Sequence, residues 1–145
     1  MSSLGFDLLD RHVVDGRGDD IACTDDTGEL TFAQLLERSA AMAGGLRAIG
    51  VGAGDEVAVD VEPGNLQVQI VCGCVRLGAV PGDSGDVRIV KTSDGVTVST
   101  DEEEFDLTLV LKVGRADPAP SLPTDPPGFR DRVRDGFGAV IEELL

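Results

Sequence analysis

The residues best placed to do chemistry are Asp26-Thr27-Gly28, the triplet with which aspartic proteases hold two carboxylates around one shared proton. Such a pair must be desolvated by apolar strand on both sides, whereas Asp25 precedes this triplet and Glu29 follows it. Asp and Gly are what a tight turn demands, so the segment reads as the exposed tip of a hairpin. Cys23, Cys72 and Cys74 are the next candidates. On a helix, Cys72 and Cys74 lie about 200° apart around the axis and cannot share one ion. An odd number of thiols without a secretory signal suits a reducing compartment, and free thiols of this kind belong in the core. The single histidine, His12, has no partner at ligand spacing and no third group to complete a nucleophilic pair, so a surface position on the first helix is expected. Gly50-Val51-Gly52-Ala53-Gly54 has the outline of a dinucleotide fingerprint but follows a helix and precedes a strand, the reverse of what a pyrophosphate site needs. The acids Asp101 to Glu104 lack the alternating ligands and central glycine of a calcium loop and read as a solvated turn. The expectation is therefore no catalytic residue, no cofactor-binding residue and no metal ligand.

The composition narrows the partners. The 145 residues carry 27 acids against 12 bases, a formal charge of −15 that repels a polyphosphate backbone and argues against nucleic acid. Ten of the bases are Arg and eighteen of the acids are Asp, the pattern of a salt-adapted, strongly hydrated surface; the alternative, an acidic patch for a basic partner, has against it that the acids are spread along the whole chain. No stretch approaches the ~18–20 apolar residues of a membrane span. Residues 1–20 hold five Asp where a signal peptide needs a basic start. A cytoplasmic protein is expected. A chain of this length can bury roughly 68–70% of its unfolded surface, so one domain with a real core is possible.

The elements that must position these residues follow from periodicity. Leu4, Leu8, Leu9 and His12 or Val13 share one face of a short helix ending before Asp15-Gly16. Ile21-Ala22-Cys23 and Leu30 flank a hairpin turn. Thr31 and Gln34 form a capping box for the strongest helix, whose inner stripe runs Phe32, Leu35, Leu36, Ser39, Met42, Ala43, Leu46 and Ile49 before a left-handed stop at Gly50. Val57-Ala58-Val59 is a buried strand, Pro63-Gly64-Asn65 a turn with Asn65 as cap, and Leu66, Ile70, Gly73, Cys74 and Leu77 the inner stripe of the next helix. Beyond Pro81 the texture changes. Val87 to Val90 and Val96 to Ser99 bracket the turn Ser93-Asp94-Gly95, and the alternation of Leu107, Leu109, Leu111 and Val113 predicts a third strand of an antiparallel meander. Five prolines between Arg115 and Gly128 mark a linker. Phe129, Val133, Phe137, Val140, Ile141 and Leu144 make the inner side of a terminal helix.

Three separated runs are informative together: Gly28-Glu29-Leu30-Thr31-Phe32-Ala33-Gln34-Leu35, then Leu46 through Val59 with Gly50, Gly52, Gly54 and Asp55, then Leu77-Gly78-Ala79-Val80-Pro81. With Asp10-Arg11-His12 and Gly18 to Ala22 ahead of them, they resemble the N-terminal segment of the AMP-forming (adenylate-forming) acyl-CoA synthetases, the AMP-dependent synthetase and ligase superfamily, over residues ~4–81. The resemblance implies an α/β fold: a three-layer-like α/β subdomain over 1–81, completed by a divergent antiparallel β meander over 82–114, a Pro-rich linker over 115–128 and an amphipathic C-terminal helix over 129–145. The matched residues are caps, turns and a strand entrance, all scaffold roles.

The family converts ATP and a carboxylate into an acyl-adenylate, gripping the phosphates with a Ser/Thr/Gly-rich loop that ends in a Lys-bearing element. Here Ser84-Gly85-Asp86 puts an acid at that spot, and Lys91-Thr92-Ser93-Asp94-Gly95 reads as a hairpin turn. A chain with no tyrosine also cannot carry the family's Tyr-Gly-x-Thr-Glu-like element. The resemblance thus implies a truncated, catalytically incomplete relative that acts as a binding or assembly module, not an enzyme on its own, as a homo-oligomer or beside a partner synthetase subunit. The alternative is one piece of a split acid–thiol ligase. A segment of a larger scaffold should expose apolar surface, unless the meander and terminal helix cover it.

Overall fold

The computed structural model describes residues 2–145. Its helices begin where local chemistry dictates. A π turn at Phe6–Asp10 leads into α1 (Arg11–Val14), placing Leu4, Leu8, Leu9 and His12 on one buried stripe. The hairpin β1 (Ile21–Asp25) and β2 (Gly28–Thr31) turns through exposed residues 26–27. At the start of α2 (Phe32–Ala48), Gln34 N–H donates to Thr31 Oγ1 at 3.2 Å while Thr31 N–H donates to Gln34 Oε1 at 3.0 Å, the expected capping box. Gly50, at φ 104°, ends that helix in a conformation that costs other residues steric strain.

β3 (Glu56–Asp60) is the hub of a five-stranded mixed sheet of order β4-β3-β5-β6-β7. β4 (Val80–Gly82) and β5 (Val87–Thr92) both run parallel to it, one on each side, with Val57 opposite Pro81 and Val87. The crossover from β3 to β4 is α3 (Asn65–Arg76). Residues 83–86 carry the chain across β3, and Gly85 passes so close to the Glu56 carbonyl that a Cβ would collide with it. β6 (Gly95–Ser99) and β7 (Glu104–Asp106) add antiparallel strands. The fold is thus mixed α/β, as expected, with the antiparallel strands fused to the parallel core in one sheet.

Residues 107–113 are not a strand. They belong to α4 (Leu107–Ala116), with Leu107, Val110 and Gly114 buried. The same letters that alternate also repeat at three and four, so period alone is ambiguous. Packing decides: the helix lies on α2 through glycines, where a Cβ on Gly45 would strike the Val110 carbonyl and one on Gly114 the Ala41 carbonyl. Backbones this close leave no room for side chains between them.

Residues 117–128 have no regular structure, but they are a packed strap and not a free linker. Ala119 is buried, its N–H donates to Ala40 O at 3.0 Å, and its carbonyl accepts from Arg76 Nε at 3.1 Å. Asp125 Oδ1 accepts the Leu4 N–H at 2.8 Å. Prolines prevent a helix here without preventing contact. Arg76 is nearly fully buried and ion-paired to Asp10 at 2.6 Å, and Asp7 binds both Arg11 and Arg130, so the first helix is locked to the strap and to α5 (Phe129–Leu144). Burial pushes the Asp7 carboxyl up, but hydrogen bonds from Arg130 and Ser2 and the Arg11 charge hold it below the usual carboxylate range.

The core forms two clusters that meet at α2 and α3. One joins Leu4, Leu8, Leu9, Leu35, Val71 and Val80 to Phe129, Val133, Ile141 and Leu144 of α5. The other joins Met42, Leu46, Val57, Ile70, Ile89 and Val98 to Leu107 and Val110 of α4. Each fully buried Leu, Ile or Phe is worth about 1.5–3 kcal/mol of transfer free energy.

Candidate functional site

Two of the openings in the surface differ sharply in what they can hold. The first lies at the mouth of α3, lined by the hairpin residues Asp25 to Leu30 together with Arg38, Glu62, Asn65, Gln69 and Lys91. Helix N-termini attract anions, but here the anion is already supplied by the chain. Asp25 Oδ2 accepts the Asn65 N–H at 2.7 Å, and Asn65 Nδ2 donates to Asp25 Oδ1 at 3.1 Å and to Gly28 O at 3.0 Å. The expected cap, Asn65, is therefore the first helical residue, Gly64 occupies the cap position, and the capping carboxylate comes from a hairpin 40 residues away. Hydrogen bonds from the Thr27 hydroxyl, then from the Asn65 and Thr27 backbones, lower the Asp25 pKa. Asp26, Thr27 and Gly28 are exposed, as a hairpin tip should be.

The second opening is a groove of about 880 Å³ between α4, the end of α2 and the β6–β7 turn. Its floor is apolar, made by Ile49, Val87, Phe105, Leu109, Val110 and Val113. Leu109 and Val113, one helical turn apart, are 50% and 42% exposed. Asp55, Glu56, Asp86, Asp101, Glu102 and Glu103 also line it, and no basic residue does. Of these six acids only Glu56 has an ion-pair partner among the described residues, Arg132 at 3.1 Å. A hydrophobic floor ringed by acids repels phosphate and favours a cationic, partly apolar ligand. Asp101 to Glu103 do sit in a solvated turn, held by Thr100, whereas Glu104 opens β7; those three acids also face this groove, which local sequence could not show.

The thiols are buried. Cys72 lies in one core cluster and Cys74 in the other, so the helix does split them onto opposite faces. Burial pushes the Cys23 thiol up to about 11 and those of Cys72 and Cys74 to about 12, leaving all three protonated at neutral pH. No group of three His, Cys, Asp or Glu side chains with metal-binding geometry occurs among the described residues. His12 is not on the surface: it is 4% exposed and its ring lies 4.1 Å from that of Phe32. Its Nδ1 accepts from the Arg17 guanidinium, so Nε2 carries the proton and donates to Leu144 O at 2.6 Å. Position 12 follows Leu8 by four residues on the inner stripe, which turns the ring inward.

Residues 10–81 match the AMP-binding enzyme family. Over that span the chain is similar to an AMP-binding enzyme. It is 28% identical over 113 residues to acetyl-coenzyme A synthetase of Streptomyces coelicolor, an overlap of 64% of this chain and 17% of the relative. It is 29% identical over 86 residues to the mitochondrial acyl-CoA synthetase short-chain family member 3 of Mus musculus, covering 55% of this chain and 13% of that one. The crystal structure of the anthranilate CoA ligase AuaEII in complex with anthranoyl-AMP superposes with a TM-score of 0.50 at 26% identity, over 53% of this chain and 15% of the ligase. The chain thus spans 13–17% of the length of these relatives. Within the matched span these scaffold features are present: Thr31 caps α2, Gly50 stops it, and Gly54 N–H donates to Gly78 O at 2.9 Å where the chain turns into β3. α4 and the strap lie outside the matched residues, so the groove is walled largely by chain that the family match does not reach.

Proposed function

We infer that this polypeptide works as a binding or assembly module built on an AMP-binding enzyme scaffold, without adenylating a substrate by itself. The observation that supports this most is the groove beside α4: it offers apolar contact area and six carboxylates, a surface suited to recognition and opposed to a triphosphate. At the other opening the first N–H of helix α3, a natural anion contact, is already taken by Asp25. The groove has no basic residue among its lining side chains, and at the first opening, beside Arg38 and Lys91, Asp25 holds the first N–H of the helix where a phosphoryl group would need it. The test is carboxylate-dependent ATP–pyrophosphate exchange by the purified chain over a panel of short, long and aromatic acids. No exchange above the protein-free control is expected, and exchange with any acid would end this reading.

The family match favours a second reading. The relatives are named as synthetases and ligases of acyl-CoA and are several times longer than this chain, so it could be one piece of a split acid–thiol ligase. Exchange that is absent alone and appears on mixing with the product of a neighbouring gene would establish it.

A further inference from the structure

We propose that the groove beside α4 receives a basic amphipathic helix of another protein, whose apolar side chains seat on Leu109, Val113 and Phe105 while its Arg and Lys side chains reach Asp86, Asp101 and Glu102. This rests on the module reading above and names the partner's chemistry.

Three observations converge. Leu109 and Val113 are two of the few large apolar side chains left half exposed, and they are spaced as one turn of a helix that meets another helix. Around them the rim is acidic without a basic residue among the lining side chains, so a partner gains by bringing positive charge to it. The rim acids are also free to bind: the 100–103 turn is held by Thr100 through backbone N–H and carbonyl groups, leaving the Asp101, Glu102 and Glu103 carboxylates uncommitted to it. A second copy is the wrong occupant, because a chain of formal charge −15 would set acid against acid. Nucleic acid and anionic lipid are excluded by the same sign.

The experiment uses the whole chain and a fluorescein-labelled designed peptide of about 18 residues with Leu and Phe three and four apart on one face and Arg and Lys on the rest. Controls are a scramble of the same charge and a version with every base replaced by Glu. Fluorescence polarisation should give binding of the amphipathic peptide at least about tenfold tighter than the scramble, and none of the acidic version. Leu109→Asp, on an exposed position, should weaken binding about tenfold or more. The combined Asp101→Asn, Glu102→Gln, Glu103→Gln variant should weaken it several-fold and flatten its loss between about 0.05 and about 0.5 M salt. Circular dichroism on both variants verifies that they fold. Equal affinity for peptide and scramble, or indifference to Leu109→Asp, would overturn the proposal. So would a dimer, seen by light scattering, that Leu109→Asp dissolves, because it would give the groove to a second copy. The two readings fail separately: pyrophosphate exchange by the pure chain defeats the module reading whatever the peptide does, and absent binding with absent exchange defeats only the occupant.

Discussion

The helices α4 and α5 both follow residues 10–81 and both are amphipathic, yet they end differently. The inner residues of α5, Phe129, Val133, Ile141 and Leu144, are all buried against the first helix, α3 and β4. α4 buries Leu107 and Val110 against α2 and leaves Leu109 and Val113 facing an acid-lined groove. Where α5 closes an apolar face with residues of the same chain, α4 closes half of one and presents the rest. Apolar character alone therefore does not tell cover from contact surface; the carboxylates surrounding what is left over do.

The contrast can be attacked directly. Phe129→Ala should cost about 3–5 kcal/mol in urea unfolding, since it empties a filled core position. If Leu109→Ala cost as much, the two helices would be equivalent and the comparison would fail. Gly114→Ala should be next, destabilising by roughly 1–3 kcal/mol because its methyl must push α4 off the Ala41 carbonyl; a thermal melt unchanged from wild type would show that α2 and α4 are not in backbone contact. Acid should act on the α5 side through Asp7, as it does at the α3 cap through Asp25. The Asp7 carboxyl is held below its ordinary value, so its contribution is complete above the unfolded carboxylate value of about 3.9 and is lost as pH falls through the lower folded one. Urea midpoints compared between pH 5 and pH 3 should show this fall, reduced in Asp7→Asn. The thiols give the opposite sign: their raised values keep stability intact through neutrality and remove it only as pH climbs past about 9 toward the folded values. Leu109→Ala should be the smallest effect, within about 1 kcal/mol, as expected of a half-exposed position.

Much of this architecture was readable along the chain. The capping box at Thr31 and Gln34, the stop at Gly50 and the 21–31 hairpin are local signals, and each appears as expected; the stripe of α5 appears in part, since the backbone leaves helical geometry at Phe137, and Phe137 and Val140 stay half-buried. What escaped is long-range. Leu107 to Val113 satisfies two periods, and only contact with α2 selects the helix; the clue was Gly44-Gly45 inside the strongest helix, a local cost of about 0.5–1 kcal/mol each that makes sense if another backbone lies against them. His12 was legible as a stripe position but not as buried, because its partners Arg17 and Leu144 are five and 132 residues away. The strap was hidden by its prolines, which forbid regular structure and say nothing of packing. The groove is least legible, since its residues come from α2, the sheet, the β6–β7 turn and α4.

The silence of the three thiols has a practical consequence. A lone cysteine introduced at an exposed rim position such as Glu103 would be the only one open to maleimide under native conditions, so a dye or spin label could be attached there without first removing Cys23, Cys72 or Cys74. The chain is in that sense already prepared for watching its own surface being occupied, one chromophore per molecule.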